Sequence, residues 1–278
     1  MTITVTQTNS LDRVLPHPVT NPVVKPVLVG GFLEEEPLTT TIHDLLMRVE
    51  KNGRVFWVGA AVPFGTLDFT RAQVAFHPTV IQNGHVHAAD ADYPAFANGW
   101  RNHMQHHVAV LGGQLAGARR MPLLMPFTTM AALGDPAQNV FGSAPVDTLN
   151  ALLTAVRNAF SPIPLGPVRA TAVGVSSFSS GIDAMRLFIH AFASSGLLRE
   201  VIDFDSPFLL SEKRKTLTHA PGAVSSCYSQ VPADTSPPPA GYRFLPAPSF
   251  AHITSQPSPH MVIGRMMYYT AMITSQIT

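Results

Sequence analysis

Cysteine is all but missing from these 278 residues: the one thiol, Cys227, excludes an internal disulfide framework and cannot by itself build a cysteine-rich metal site. It reads as a small, semi-buried apolar side chain. Charge is scarce too. Charged residues make up 13% of the chain, and eighteen basic side chains face seventeen acidic ones with no stripe of Lys or Arg to track a phosphate backbone. Nucleic acid is therefore not an expected partner. The dense runs Glu34–Glu36 and Lys213–Lys215 are short enough to be solvated turns. No run reaches the roughly 18 apolar residues that span a bilayer, and the opening MTITVTQTNS lacks the basic start and apolar stretch of a secretory signal. Stable membrane insertion is not expected, and the cytoplasm is the default compartment, although a chain cut after a removed signal would look the same.

Apolar residues are plentiful. At 46% hydrophobic, the chain has the apolar surface for a packed core, and its length suits one large domain or two small ones, of which one is favoured because no linker divides it. An extended arm is expected over residues 1–26, then a short strand at Val27–Phe32 and a helix over Thr39–Lys51, where Ile42, Leu45, Leu46 and Val49 fall at helical spacing. Strands are predicted at Arg54–Val62 and Gln73–Phe76, a long helix over Tyr93–Ala118, and a buried parallel strand at Met121–Phe127. Beyond these come a helix over Pro145–Phe160, a strand at Val168–Val175, a helix over Ile182–Ala193 and a strand at Leu197–Phe204. Two short strands near Ala223–Ser229 and Tyr242–Leu245 precede a last helix over Met261–Ile273. Strands alternating with helices imply an α/β fold whose mostly parallel sheet is covered on both faces, without a large cap domain.

The most informative stretch is RATAVGVSSFSSGIDAMRLFIHAF, from Arg169 to Phe192. A β run passes through Ser177-Phe178-Ser179-Ser180-Gly181 into an amphipathic helix. A nucleophile on a strand-to-helix bend needs small residues two before and two after it, because the backbone doubles back on itself. Ser177 and Gly181 meet that need around Ser179. The neighbouring hydroxyls of Ser176 and Ser180 do not. The N–H groups that open the helix point at the site, so Ser180 can donate to a developing oxyanion. A serine-rich loop or helix cap is the plainer alternative.

Here the chain resembles the α/β-hydrolase superfamily, whose elbow is usually Gly-x-Ser-x-Gly, with Ser177 standing where glycine is common. The resemblance implies a serine hydrolase of the carboxylesterase or lipase type, with no cofactor and a small ester as substrate. It also implies the chain order serine, acid, histidine. On that order His260, just before the last helix, is the expected base and His252 the second choice. Asp205, at the exit of Leu197–Phe204, is the expected acid, with Asp203 and Asp234 as rivals. The second oxyanion donor is expected in the His77-Pro78-Thr79 segment, at Thr79, since proline has no N–H.

A different reading starts from His85, His87, Asp90, Asp92, His103, His106 and His107, a group with workable metal-ligand spacings but no recognised motif. A metal-dependent enzyme, or a noncatalytic binding protein on a hydrolase scaffold, therefore stays open beside the serine hydrolase. The sequence does not fix substrate specificity or oligomeric state, and a homo-oligomer is compatible with it.

Overall fold

The computed structural model describes residues 1–8, 17–18, 23–29, 32–38, 41–77, 81–82, 85–86, 105–127, 136–206, 217–230, 237–246, 259–275 and 277. In chain order the strands of the first half are β1 (Thr2–Thr8), β2 (His17–Pro18), β3 (Val23–Val29), β4 (Phe32–Leu38), β5 (Thr41–Lys51), β6 (Arg54–Pro63), β7 (Arg71–Phe76), β8 (Ile81–Gln82) and β9 (His85–Val86). They are followed by α1 (Gln105–Ala118), β10 (Leu123–Pro126), α2 (Pro145–Ala159), β11 (Ala172–Phe178), α3 (Ile182–Phe192), β12 (Leu198–Phe204), β13 (Val224–Ser229), β14 (Tyr242–Pro246) and α4 (Pro259–Ile273).

One ten-stranded sheet organises these elements in the order β1-β5-β6-β10-β7-β11-β12-β13-β14, with β2 added beside β5. From β10 to β14 every neighbouring pair is parallel, whereas β1, β5 and β6 form an antiparallel flank. Helices cover both faces. Leu149, Leu152, Leu153 and Val156 of α2 and Met185, Phe188, Ile189 and Phe192 of α3 pack with Val173, Val175 and Val201 on one side. Val108 and Leu115 of α1 and Ile263, Met267 and Met272 of α4 pack with Ile202 and Phe204 on the other. The expected α/β class, with a mostly parallel sheet between helical layers, is the architecture observed, and among the described residues between β12 and α4 there are strands and no helix. None of the described helices is long and apolar enough to cross a membrane.

The first half departs from the sequence reading in two places. Thr39–Lys51 is not a helix: it is mostly β5, paired along its length with β6. Its apolar residues sit four apart in two sets, Leu45 and Val49 toward the α2/α3 face and Ile42 and Leu46 toward the opposite one, so burial on both faces imitates a helical period. Residues 1–26 are not simply an arm, because β1 pairs antiparallel with β5 and extends the sheet. The strand expected at Val27–Phe32 lies within a β3–β4 hairpin. Of the expected helix over Tyr93–Ala118 the described part is α1, and residues 93–104 lie outside the described set.

Candidate active site

Strand β11 ends at Phe178, and the chain turns through Ser179 with a backbone φ of 54° before a short 3-10 turn, Ser179–Gly181, leads into α3. A positive φ at a residue with a side chain costs on the order of 1–3 kcal/mol and persists only where the surroundings enforce it. Here they do. The strand is clamped on both sides, Ser177 lying opposite Phe76 of β7 and opposite Asp203 of β12. Apolar Ile182, Met185, Phe188 and Ile189, all buried, anchor the helix beyond.

The demand for small residues around the bend has a visible cause. A Cβ on Gly181 would stand 2.5 Å from the Phe76 carbonyl oxygen and 2.9 Å from that of His77. The helix therefore starts in contact with the end of β7, from which the segment His77-Pro78-Thr79 departs. On the other flank Ser177 is 1% exposed, and its hydroxyl finds no hydrogen-bond partner among the described residues. Ser179 itself is buried, only 7% exposed. The bend fits closely against the Phe76 and His77 carbonyls.

Asp205 follows the last residue of β12, and its φ is also 54°. Its N–H donates to the Tyr228 carbonyl at 2.8 Å, which turns the chain out of the sheet and aims the carboxylate along the strand ends. The side chain is fully buried and accepts four hydrogen bonds. Ser229 Oγ donates to Oδ1 at 2.7 Å and the Gln230 N–H to the same oxygen at 3.1 Å; Gln230 Nε2 donates to Oδ2 at 2.7 Å, and His260 Nδ1 lies 2.8 Å from Oδ2. Burial alone would raise the carboxyl pKa, but the bonds from His260, Ser229 and Gln230 favour the ion and hold it below the ordinary carboxylate range.

An ionised carboxylate only accepts, so His260 presents Nδ1–H to Asp205 and keeps the lone pair on Nε2. The histidine is 8% exposed in the first turn of α4, and its ring lies on that of Phe178 at a centroid distance of 4.5 Å and an interplanar angle of 33°. Phe178 is the residue immediately before Ser179. An imidazole oriented by a buried anion thus stands beside the residue that carries the strained serine into the bend. Such an arrangement can move a proton from a hydroxyl to a leaving group.

The remaining expected residues are distributed unevenly. Asp203 sits two residues inside β12, fully buried, in register between Ser177 and Cys227, and its Oδ2 accepts from Ser206 Oγ at 2.8 Å. Ser180 is the second residue of the 3-10 turn. Thr79, Asp234 and His252 lie outside the described residues. So do His87, Asp90, Asp92 and His103 of the histidine-rich group, while His85 opens β9 and His106 and His107 are in α1. Among the described residues no three His, Cys, Asp or Glu side chains come together as a metal site. Ser229 and Gln230, which hold the Asp205 carboxylate, were not singled out by sequence reasoning. Nothing in the string Cys-Tyr-Ser-Gln marks them, since their role depends on β13 lying next to β12.

No family model matches the chain, and no curated protein is similar to it. Among solved structures it is similar to a cold-adapted esterase from an Arctic intertidal metagenomic library, at 11% identity and a TM-score of 0.44, over 84% of this chain and 91% of that one. It is also similar to an alpha-beta serine hydrolase homologue from Coxiella burnetii, at 14% identity and a TM-score of 0.42, over 83% and 95% of the two chains. A predicted CIB-like hydrolase from Thermoplasma acidophilum aligns at 11% identity and a TM-score of 0.39, over 84% and 96%.

Proposed function

We propose that the protein is a serine hydrolase of the carboxylesterase type that cleaves small esters through an acyl-enzyme intermediate, with Ser179, His260 and Asp205 as its triad. The observation that carries this reading is the 2.8 Å pairing of a buried Asp205 carboxylate with His260 Nδ1, on an imidazole in tilted contact with the residue preceding a left-handed serine. In this mechanism Ser179 Oγ attacks the ester carbonyl as His260 Nε2 takes its proton, giving a tetrahedral oxyanion. The Ser180 N–H, at the start of the helical turn, donates to that oxyanion, and Thr79 supplies the second donor. Collapse breaks the bond to the alcohol oxygen, which leaves with the proton returned by His260. Water then repeats the sequence on the acyl-enzyme and releases the acid. Asp205 stays ionised throughout and stabilises the imidazolium formed in each half.

The test pairs labelling with turnover. A small fluorophosphonate is expected to label the protein at Ser179, and Ser179→Ala is expected to lose both the label and p-nitrophenyl acetate hydrolysis by at least about four powers of ten. A Ser179→Ala protein that is still labelled, or still cleaves the ester at the original rate, overturns the reading.

A further inference from the structure

Resting on that reading of Ser179, we propose that the narrow cavity under the bend is the acyl pocket and that it admits an acetyl-sized group, which makes the substrates acetate esters. The cavity lies on the α1/α4 face of the sheet. Met125, Phe178, Phe204 and Tyr268 form its inner wall, and Val110 and Leu111 of α1 form its outer wall. Its rim also includes His77.

Two contacts tie this space to the reacting serine. Phe178, whose side chain lines the cavity, is the residue before Ser179 and carries the His260 ring on its own. His77 is the residue whose carbonyl sits against Gly181, two positions beyond Ser179. An acyl group bonded to Ser179 Oγ thus has this cavity as a neighbouring space, lined by Met125, Phe178, Phe204 and Tyr268 together with the hydroxyls of Ser176 and Ser177 and the imidazole of His107.

Size decides the class. The cavity volume is about 20 Å³, against the 10–15 Å³ or so that a single water needs on the same measure, so it holds roughly one water or one methyl group. Its inner wall cannot give way easily: Met125 is wholly buried, Phe204 is 2% exposed and Tyr268 of α4 is 1% exposed, all three in the core on that face of the sheet. Close-packed interiors resist even one extra methylene. The outer wall is the softer one, since Val110 and Leu111 are only partly buried on α1.

The experiment measures kcat/KM for p-nitrophenyl acetate, butyrate and octanoate with the wild-type chain and with Leu111→Ala and Val110→Ala, each checked for folding by thermal melting. Acetate is expected to exceed butyrate by at least about tenfold and octanoate by more, on the scale of roughly 10–200-fold per mismatched methylene. Widening the outer wall in either variant is expected to shrink the acetate-to-butyrate ratio by about tenfold while acetate turnover persists. Butyrate or octanoate turned over as well as acetate by the wild type, or a ratio unchanged in whichever variant folds, overturns the acyl-pocket proposal. Labelling of Ser179 by the small fluorophosphonate in the same samples shows that the serine hydrolase reading survives that failure. No label and no turnover of any ester means that both have failed.

Discussion

Gly181→Ala isolates the packing of the bend from its backbone conformation. Gly181 has φ −62° and ψ −12°, values any L-residue adopts. Alanine is also the better helix former, so without a neighbour in the way the substitution would stabilise the fold by about 0.4–1 kcal/mol. The neighbour is backbone. The new Cβ would lie 2.5 Å from the Phe76 oxygen, 2.9 Å from the His77 oxygen and 3.0 Å from the Phe76 carbonyl carbon, where ordinary contact begins at 3.4 Å. Moving the worst contact from 2.5 to 3.4 Å requires α3 and the end of β7 to part by roughly 0.9 Å, and neither has a rotamer with which to yield. Overpacking of this kind costs about 1–3 kcal/mol. With rigid atoms on both sides the upper half of that range applies, which leaves a net loss of about 1–2.5 kcal/mol. At about 2–4 °C per kcal/mol for a chain of this size, Tm should fall by roughly 2–10 °C. The same displacement shifts Ser180 N–H relative to the His77 segment, and a misplacement near 1 Å can cost up to about a hundredfold in rate. Thermal melting by circular dichroism and kcat/KM on p-nitrophenyl acetate read the two effects. An alanine variant as stable and as active as the parent would refute the claim that the second flanking position must be free of a side chain.

Two further predictions follow from the residues around the bend. Because Ser179 sits at φ 54°, glycine there relieves strain of about 1–3 kcal/mol and gives back about 0.4–1 kcal/mol through the freer unfolded chain. Ser179→Gly should therefore melt higher than Ser179→Ala although both are inactive, and equal melting temperatures would remove strain from the account. The Asp205 carboxyl is held below the ordinary range by its donors, so the folded state binds its proton less readily than the unfolded chain. Its stabilising effect is then present above the unfolded pKa of about 3.9 and is lost as pH falls through the lower folded value. Gln230→Leu removes the donor at 2.7 Å and should make stability less steep in that acid window, while lowering kcat by roughly tenfold with KM unchanged. Denaturant melts at pH 2–6 and steady-state kinetics test it, and a changed KM with unchanged kcat would place Gln230 in substrate binding instead.

The second half of the fold is legible in the sequence because its signals are local. Strand β12 is a short run rich in large apolar residues, Leu198, Val201, Ile202 and Phe204, and α2 carries a clean apolar stripe, so each element is marked within its own residues. The antiparallel flank is less so. The helical spacing read over Thr39–Lys51 arises because β5 is buried on both sides, with Leu45 and Leu46 passing to opposite faces. A turn signal was present all the same. Asn52 at φ 53° and Gly53 at φ 74° form the tight reversal between β5 and β6, and an Asn-Gly pair between apolar runs is a strong hairpin mark. Nothing comparable announces β1, whose place at the sheet edge depends on β5 having become a strand.

The bend at Ser179 follows the same division. Strand, small residues and helix are neighbours in the chain, so the need for Gly181 can be read before any coordinates, although the wall it avoids, the carbonyls of Phe76 and His77, cannot. The Asp205–His260 contact spans 55 positions and exists only because α4 returns its first turn to the end of β12. Between Asp203 and Asp205 the deciding feature is a single backbone dihedral. Asp203, still in the strand, is locked beneath the surface with Ser206, whereas the left-handed turn at Asp205 swings its carboxylate among Ser229, Gln230 and His260. The Asp205 N–H donates to the Tyr228 carbonyl, so the orientation of its carboxylate depends on the β12–β13 pairing. A site assembled this way tolerates change in the loops that leave the sheet more readily than change in the register of its strands.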